Sequence, residues 1–282
     1  MIIFRKNYGV TLNVLSCLLL MESAVNAWTL DRNTGPIQDN MMAQSICSNV
    51  CHASQGKWNG QWDTKISGRV SVCGCAFSMD KFLEYLNLIP KRDDGKKIIN
   101  AYQFNELCKV IQNEDPSKFS EEDGLKLYQW LKQNFLLIVQ NEKVTDNFNA
   151  LRESLSQKDD APILFYIEAV LIPEQAKDVL MLVPEMKNDL NPSDPEFAEK
   201  VRNTEEMLIR LAQIIRHAPI LIDELKDYAV KIVLGYLQLP DEIQLADPNV
   251  ISSLEAIIIT YKSDFKDYAN LLGYYAHITK SQ

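Results

Sequence analysis

The chain has 282 residues, of which 46% are apolar, and it carries a formal net charge of −9. This length suggests one or two domains, and the apolar share is sufficient for a hydrophobic core, which excludes an intrinsically disordered chain. The acidic charge argues against nucleic acid or an anionic membrane as a partner, because both require a concentrated basic face.

The first 27 residues have the pattern of a secretory signal peptide. Arg5 and Lys6 precede an apolar stretch at Val10–Met21, and a small-residue cleavage site follows at Val25–Ala27. The apolar stretch is too short for a comfortable membrane span. We therefore expect cleavage after residue 27, no membrane span in the mature chain, and a secreted or periplasmic location. An uncleaved anchor and a lipid-modified Cys17 are the alternatives.

Residues 40–54 have the pattern of a helix within the mature chain's first module. Asp39 or Asn40 is its expected N-cap, and Gly56 is its expected stop signal. Two cysteines, Cys47 and Cys51, are four residues apart and therefore share one face of this helix.

A β-hairpin is predicted after the helix. Residues 57–64 alternate, and the return strand spans 69–77 after a Ser67-Gly68 turn. The alternation predicts an aromatic face and a polar face, formed by Trp58, Gly60, Trp62 and Thr64 and by Asn59, Gln61 and Asp63, respectively. The other interpretation of this strand is that both tryptophans belong to the core and Gly60 is a close-packing position.

The return strand carries a second cysteine pair, Cys73 and Cys75, which share one face of the strand. Four residues of helix rise about 6 Å, and two residues of strand rise about 6.6 Å. The helix pair and the strand pair therefore match in length, and export would place their thiols where they oxidise. We expect two disulfides that fasten the helix to the sheet, each contributing roughly 3 kcal/mol.

The connectivity of the disulfides depends on the direction of the last strand. A strand–helix–strand crossover followed by a hairpin predicts Cys47–Cys73 and Cys51–Cys75, which we favour. The opposite direction predicts Cys47–Cys75 and Cys51–Cys73. A zinc site and a redox centre are the alternative interpretations, but C-x-C on a strand suits zinc poorly and a C-x-x-C motif is absent. We expect neither a metal nor a cofactor, and we expect Cys108 to be a buried free thiol or, alternatively, an intermolecular bridge.

Three motifs of the module occur in order: GPIQDNMMAQ at 35–44, GQWDT at 60–64 and VSV at 70–72. Together they resemble the repeat of the cyanobacterial mannan-binding lectin family, which has a Gly-Pro loop, an Asn before an Ala-Gln helix, a Gly-Gln-Trp-x-Thr strand and a Ser-Val strand. The resemblance covers residues 28–77, under a fifth of the chain. It implies a short sheet with one helix packed on it.

The resemblance also implies a function, the recognition of mannose-containing glycans of the N-glycan core. The glycan-binding residues that it implies are Gly35, Pro36, Asn40, Gly60, Gln61, Trp62, Asp63 and Thr64. Amide and carboxylate groups suit sugar hydroxyls, and an aromatic ring suits the C–H face of a sugar. The chain has Gln38 where the family has Trp, and Met41 where some repeats have an acid linked to weak glycoside cleavage. We therefore expect no glycosidase activity and, from a single repeat, weak binding unless copies associate.

The remainder of the chain predicts helices, because apolar residues recur at spacings of three and four between Pro and Gly boundaries. Ser120 begins a capping-box pattern, Pro162, Pro195 and Pro248 mark helix starts, and Glu168 in an apolar helix calls for a Lys or Arg partner. The expected helices lie near 80–90, 98–113, 121–141, 144–157, 161–171, 174–186, 195–217, 219–237 and 249–275. No catalytic motif occurs among them.

The sequence thus predicts an α+β fold with three parts: a signal peptide at 1–27, a small disulfide-stapled sheet-plus-helix module at 28–78, and a larger all-α domain at 79–282. We expect an exported, non-enzymatic carbohydrate-binding protein whose helical domain presents the module or binds a protein partner. The alternative is an exported protein-interaction or effector protein in which the module is only a scaffold.

Overall fold

The computed structural model describes residues 28–87, 98–113, 119–158, 161–180, 195–239 and 247–265, so the predicted signal peptide lies outside the described residues. The chain divides into two compact units, Met1–Leu88 and Ile89–Gln282. The first contains a three-stranded sheet and the second contains helices, as the α+β prediction requires. The first unit ends ten residues after the boundary placed at 78 from the sequence.

The sheet of the first unit has β3 at its centre. Strand β1 (Trp28–Thr34) and strand β2 (Lys57–Ile66) flank β3 (Val70–Phe77), and both pair with it in antiparallel fashion. β1 and β2 are therefore parallel to each other and are joined by helix α1 (Asn40–Ala53) as a crossover. This arrangement is the one that the favoured disulfide connectivity requires.

Helix α1 is attached to the sheet largely by covalent bonds. Its buried residues are Ala43, Cys47 and Cys51, spaced four apart on one face. The disulfides are Cys47–Cys73 and Cys51–Cys75, with Cα–Cα distances of 5.3 and 5.2 Å. The favoured connectivity is confirmed. The zinc interpretation is wrong because the four sulfurs are bonded in two pairs, which leaves no thiolate to bind a metal. Bridges over loops of this length stabilise a domain by about 3.5 kcal/mol each, and they are typical of an extracellular protein.

Helix α1 begins at a side-chain cap and ends before a residue with left-handed backbone angles. At the start, Asp39 has extended backbone angles and its carboxylate accepts a hydrogen bond from the Met42 N–H at 2.7 Å, so Asp39 is the N-cap. At the end, Gln55 rather than Gly56 adopts a left-handed conformation, with φ of 61°. Gly56 is required for packing instead, because a Cβ there would lie 2.7 Å from the Phe77 ring.

The hairpin agrees with the sequence except for two shifts in register, a bulge between Trp58 and Trp62 and a smaller irregularity between Thr64 and Ile66. Gly68 has φ of 66° in the predicted turn, and β2 continues to Ile66, two residues beyond its expected end. Trp58 lies opposite Cys75 and Trp62 opposite Cys73, so residues 59–61 together face Gly74 alone. The predicted strict alternation therefore fails at these three residues.

The helices after the sheet begin with α2 (Met79–Asn87), which belongs to the first unit. Caps and prolines define several helix starts in the second unit: Ser120 accepts from the Asp123 N–H at 3.1 Å, and Pro162, Pro195 and Pro248 are first helical residues. The second unit contains α3 (Ala101–Asn113), α4 (Glu121–Val139), α5 (Glu142–Ser156), α6 (Pro162–Ala169), α7 (Ile172–Gln175), the 3-10 helix Ala176–Asp178, α8 (Pro195–His217), the 3-10 helix Pro219–Leu221, α9 (Ile222–Tyr236) and α10 (Pro248–Thr260).

Two helix predictions are wrong in extent. The helix expected at 174–186 ends at Asp178, because the backbone becomes extended at Val179 with ψ of 166°; residues 181–194 lie outside the described residues. The helix expected at 249–275 ends at Thr260, where Tyr261 leaves the helical region with φ of −103° and ψ of 31°. Residues 266–275 of that prediction also lie outside the described residues.

The predicted cationic partner of Glu168 is present. Arg152 contacts the Glu168 carboxylate with Nη2–Oε1 at 2.9 Å and Nε–Oε1 at 3.0 Å, and Arg210 Nε lies 3.6 Å from Oε2. The Glu168 side chain is only 13% exposed. This cluster joins α5, α6 and α8 inside the second unit, and it explains a carboxylate in an apolar helix.

Cys108 is a free cysteine and is buried, as predicted. Burial raises the pKa of its thiol to about 12. Among the helices of the described ranges, none combines the length and the apolar character that crossing a bilayer requires.

Candidate functional site

The loop between β1 and α1 is held against the central strand. The Ile37 N–H donates a buried hydrogen bond of 3.0 Å to Ser71 Oγ, and the Ile37 side chain is only 5% exposed. Gly35 and Pro36, immediately before this anchor, are exposed. The anchor therefore fixes the path of the loop and leaves the Gly-Pro segment at the surface.

A direct hydrogen bond joins the loop-helix motif to the GQWDT motif. The Trp62 indole Nε1–H donates to Asn40 Oδ1 at 2.8 Å, across 22 residues of sequence. Because Asp39 caps the helix, the Asn40 side chain is not used as the cap and can accept this bond. Trp62 is half-buried and Asn40 is exposed, so the pair forms part of the surface.

Several of the predicted residues meet at one end of the module. Thr34 and Thr64 both lie opposite Ser71, one on each side of it. Since adjacent strands are about 4.8 Å apart, the two threonines are roughly 10 Å apart across the sheet. Cross-strand partners share a face, so Trp62 and Thr64 lie on the face that carries Cys73 and helix α1. Five of the predicted residues thus lie at this end of the sheet, on the face that α1 covers: Gly35, Pro36, Asn40, Trp62 and Thr64.

Asp63 is separated from this group. It lies opposite Val72, so its side chain points to the face that α1 does not cover. Its carboxylate accepts from the Thr64 N–H at 2.8 Å, and Lys65 Nζ is 3.9 Å away. A ligand could reach both Asp63 and Trp62 only around the outer edge of β2, which is an edge strand.

Gly60 and Gln61 lie in the bulge, next to Asn59. Gly60 has φ of 88° and no atom within 4 Å of a Cβ built on it, so its interpretation as a close-packing position is wrong. The Gln61 N–H donates to Asn59 Oδ1 at 2.9 Å, and the Gln61 Oε1 lies 3.4 Å from Asn59 Nδ2. Gly60 therefore provides the left-handed residue that the bulge needs.

Trp58 occupies the far side of the bulge. It lies opposite Cys75, is half-buried, and donates its indole N–H to the Gln61 carbonyl at 2.9 Å. Trp58 and Trp62 are both half-buried, so each ring packs against the module and also retains exposed surface. Since both indole N–H groups are satisfied within the module, the two rings offer apolar surface without an unpaired donor.

Two residues of this region, Asn59 and Gly74, were not assigned a role from the sequence. A Cβ on Gly74 would lie 2.6 Å from Asn59 Oδ1, so the Asn59 amide occupies the space that the missing side chain leaves. The Asn59-Gly60 pair is a turn signal in the sequence, and it could have indicated a bulge. The contact with Gly74 has no sequence signal, because it depends on the register between β2 and β3.

The chemistry of this surface is that of amides, a hydroxyl and indole rings. Amide groups donate and accept hydrogen bonds, as sugar hydroxyls do, and indole rings match the C–H face of a sugar. The nearby carboxylates are placed apart, since Asp39 caps α1 and Asp63 lies on the opposite sheet face. Within the part of the chain that the structure describes, no three His, Cys, Asp or Glu side chains form a group able to hold a metal ion.

The comparisons with known proteins agree with the motif resemblance. Residues 40–75 match the model of a family described as mannan-binding protein. No curated protein and no solved structure matches the chain. The matched segment contains α1, β2, strand β3 as far as Cys75, both disulfides and the Asn40–Trp62 hydrogen bond. Gly35 and Pro36 precede it. The first unit therefore carries, between Asn40 and Cys75, a segment similar to the mannan-binding protein family.

Proposed function

We propose that the chain is an exported, non-enzymatic lectin that binds mannose-containing glycans through the surface around Asn40, Gln61 and Trp62. The observation that carries the proposal is the hydrogen bond from Trp62 to Asn40, because it joins the two motifs that resemble the family repeat. It holds an amide and an aromatic ring side by side at the surface, which is the combination that a sugar ring requires.

Several further features support the proposal. The family match includes Asn40, Gln61 and Trp62. The site is held before any ligand arrives, by the disulfides, by the loop anchor at Ile37 and by the bulge. A preformed site loses little conformational entropy on binding. The disulfides also favour the exported location, because such bonds persist in oxidising compartments.

Binding of the mature chain, residues 28–282, to a glycan array tests the proposal. We expect retention of mannose-containing glycans, loss of that retention in Trp62→Ala, and weaker but measurable retention in Gln61→Ala. Asn40→Ala should weaken retention as well, because it removes the acceptor of the Trp62 indole N–H. Asn49→Ala is its matched control, because both asparagines are exposed on α1 and only Asn40 accepts from Trp62. A folded, disulfide-bonded chain that retains no glycan would reject the lectin function and favour a protein-interaction role for the helical unit.

A further inference from the structure

Gln61 is held at both of its backbone polar groups. Its N–H donates to Asn59 Oδ1 at 2.9 Å, and its carbonyl accepts from Trp58 Nε1 at 2.9 Å. The side-chain Oε1 is also 3.4 Å from Asn59 Nδ2. Gln61 is an exposed residue of an edge strand, where a side chain normally moves freely. The two backbone contacts fix the path of the chain at Gln61, and the contact with Asn59 Nδ2 restricts the directions in which the glutamine amide can point.

The contacts depend on the bulge and on one glycine of the neighbouring strand. Residues 59–61 face Gly74 alone, and the left-handed conformation of Gly60 turns Gln61 back toward Asn59. The Asn59 amide lies over Gly74, where a Cβ would be 2.6 Å from its oxygen. Any larger residue at position 74 would displace Asn59 and with it the acceptor of the Gln61 N–H.

We propose that Asn59, Trp58 and Gly74 are positioning residues that orient the Gln61 amide for ligand binding. Trp58 and Asn59 hold Gln61 on its two backbone polar groups, and Gly74 makes room for Asn59. The inference rests on the proposed glycan-binding function, since it concerns the same site. It adds that the two tryptophans of the strand have different roles. Trp62 forms part of the binding surface with Asn40, whereas Trp58 donates its indole N–H to the Gln61 carbonyl and so holds the Gln61 backbone.

A double-mutant cycle with a free oligomannose oligosaccharide separates positioning from a general structural role. We expect Asn59→Ala to weaken binding about five- to tenfold, the effect of one lost hydrogen bond. In a Gln61→Ala background the same change should alter affinity less than about twofold, because the side chain that Asn59 orients is gone. Equal losses in both backgrounds, or wild-type affinity of Asn59→Ala, would overturn the proposal.

Conservative variants supply a second check on the same residues. Asn59→Asp retains the acceptor for the Gln61 N–H, so it should bind the oligosaccharide more tightly than Asn59→Ala. Trp58→Phe keeps the ring but removes the indole donor, and we expect a loss of a fewfold in affinity. Gly74→Ala should reproduce the Asn59→Ala loss and add nothing to it in the double variant.

Amide hydrogen exchange decides the positioning role without any glycan. The Gln61 N–H is hydrogen-bonded to a side chain, so it should exchange at least about fivefold faster in Asn59→Ala than in the unaltered chain, while the Ile37 N–H should keep its rate. An unchanged Gln61 rate would reject the positioning role even if glycans bind. Faster exchange together with no glycan binding would reject the lectin function and leave the role of Asn59 in place.

Discussion

Trp62 lies directly opposite Cys73, and Cys73 is bonded to Cys47 in the helix that begins at Asn40. The hydrogen bond from Trp62 to Asn40 therefore closes a ring that runs through the helix, the disulfide and the strand pair. The second disulfide, Cys51–Cys75, lies opposite Trp58 and outside this ring. The Cys47–Cys73 bridge is thus part of this ring and the Cys51–Cys75 bridge is not, although their loops are similar in length.

The first prediction concerns the two disulfides. Removing either bridge should lower the free energy of unfolding of the module by about 3.5 kcal/mol. The pair Cys47→Ala/Cys73→Ala should also weaken glycan binding at a temperature where the module is still folded, because it opens the ring that places Trp62 against Asn40. Cys51→Ala/Cys75→Ala is the matched control. Equal affinity of the two double variants would contradict the ring.

The second prediction uses two glycines in open space. Gly35 and Gly60 both have no atom within 4 Å of an added Cβ, but only Gly60 has a positive φ. Gly60→Ala should therefore destabilise the module by about 1 kcal/mol through backbone strain, and Gly35→Ala should have little effect on stability. Chemical unfolding followed by tryptophan fluorescence measures both. A larger loss of stability for Gly35→Ala than for Gly60→Ala would show that the positive φ of Gly60 does not limit which residue position 60 can hold.

The third prediction concerns the thiols. Because burial raises the pKa of Cys108 to about 12, its thiol remains protonated and inaccessible at pH 8. The native mature chain should take up no alkylating reagent at this pH. The unfolded chain should take up one equivalent, and the unfolded, reduced chain should take up five, as counted by mass spectrometry of intact protein. Uptake of several equivalents by the native chain would reject both the bridges and the burial.

The fourth prediction tests the charged cluster of the second unit. Glu168→Ala leaves Arg152 and Arg210 without their carboxylate, and we expect a loss of about 2 kcal/mol. Glu174→Ala is the control. The Glu174 side chain is 61% exposed, so its ion pair with Lys177 should contribute under about 0.5 kcal/mol to the free energy of unfolding. Unfolding followed by helical circular dichroism gives both values. Equal effects would show that the cluster is not a stabilising contact.

The sequence predicts the first unit well where the signals are local or covalent. Asp39 at a helix start and the i,i+4 spacing of Cys47 and Cys51 are local patterns, and the matching C-x-C pair then restricts the sheet to two arrangements. The resemblance to a family repeat added the candidate residues, and the structure places two of them, Asn40 and Trp62, in direct contact.

The parts that were not predicted depend on contacts between strands or on the end of a helix. The alternation of residues in β2 does not show that Asn59 lies over Gly74 of β3. The bulge and the contact between these two residues can be identified only from the register between β2 and β3. The family motif assigned Asp63 and Trp62 to one site, although the alternation of the strand already placed their side chains on opposite faces. Two helical segments end at Asp178 and Thr260, before their predicted ends, because apolar spacing indicates a helix but does not fix where it stops.

The most direct test of the central claim is an NMR titration of the mature chain with an oligomannose oligosaccharide, observing the indole N–H signals. The chain has four tryptophans, so each signal can be assigned by substitution. We expect the Trp62 signal to move as the sugar is added, because its indole belongs to the binding surface with Asn40. The signal of Trp130, on α4 of the second unit, should stay in place. A Trp62 signal that does not move at saturating sugar would show that the surface around Asn40 and Trp62 does not bind the glycan.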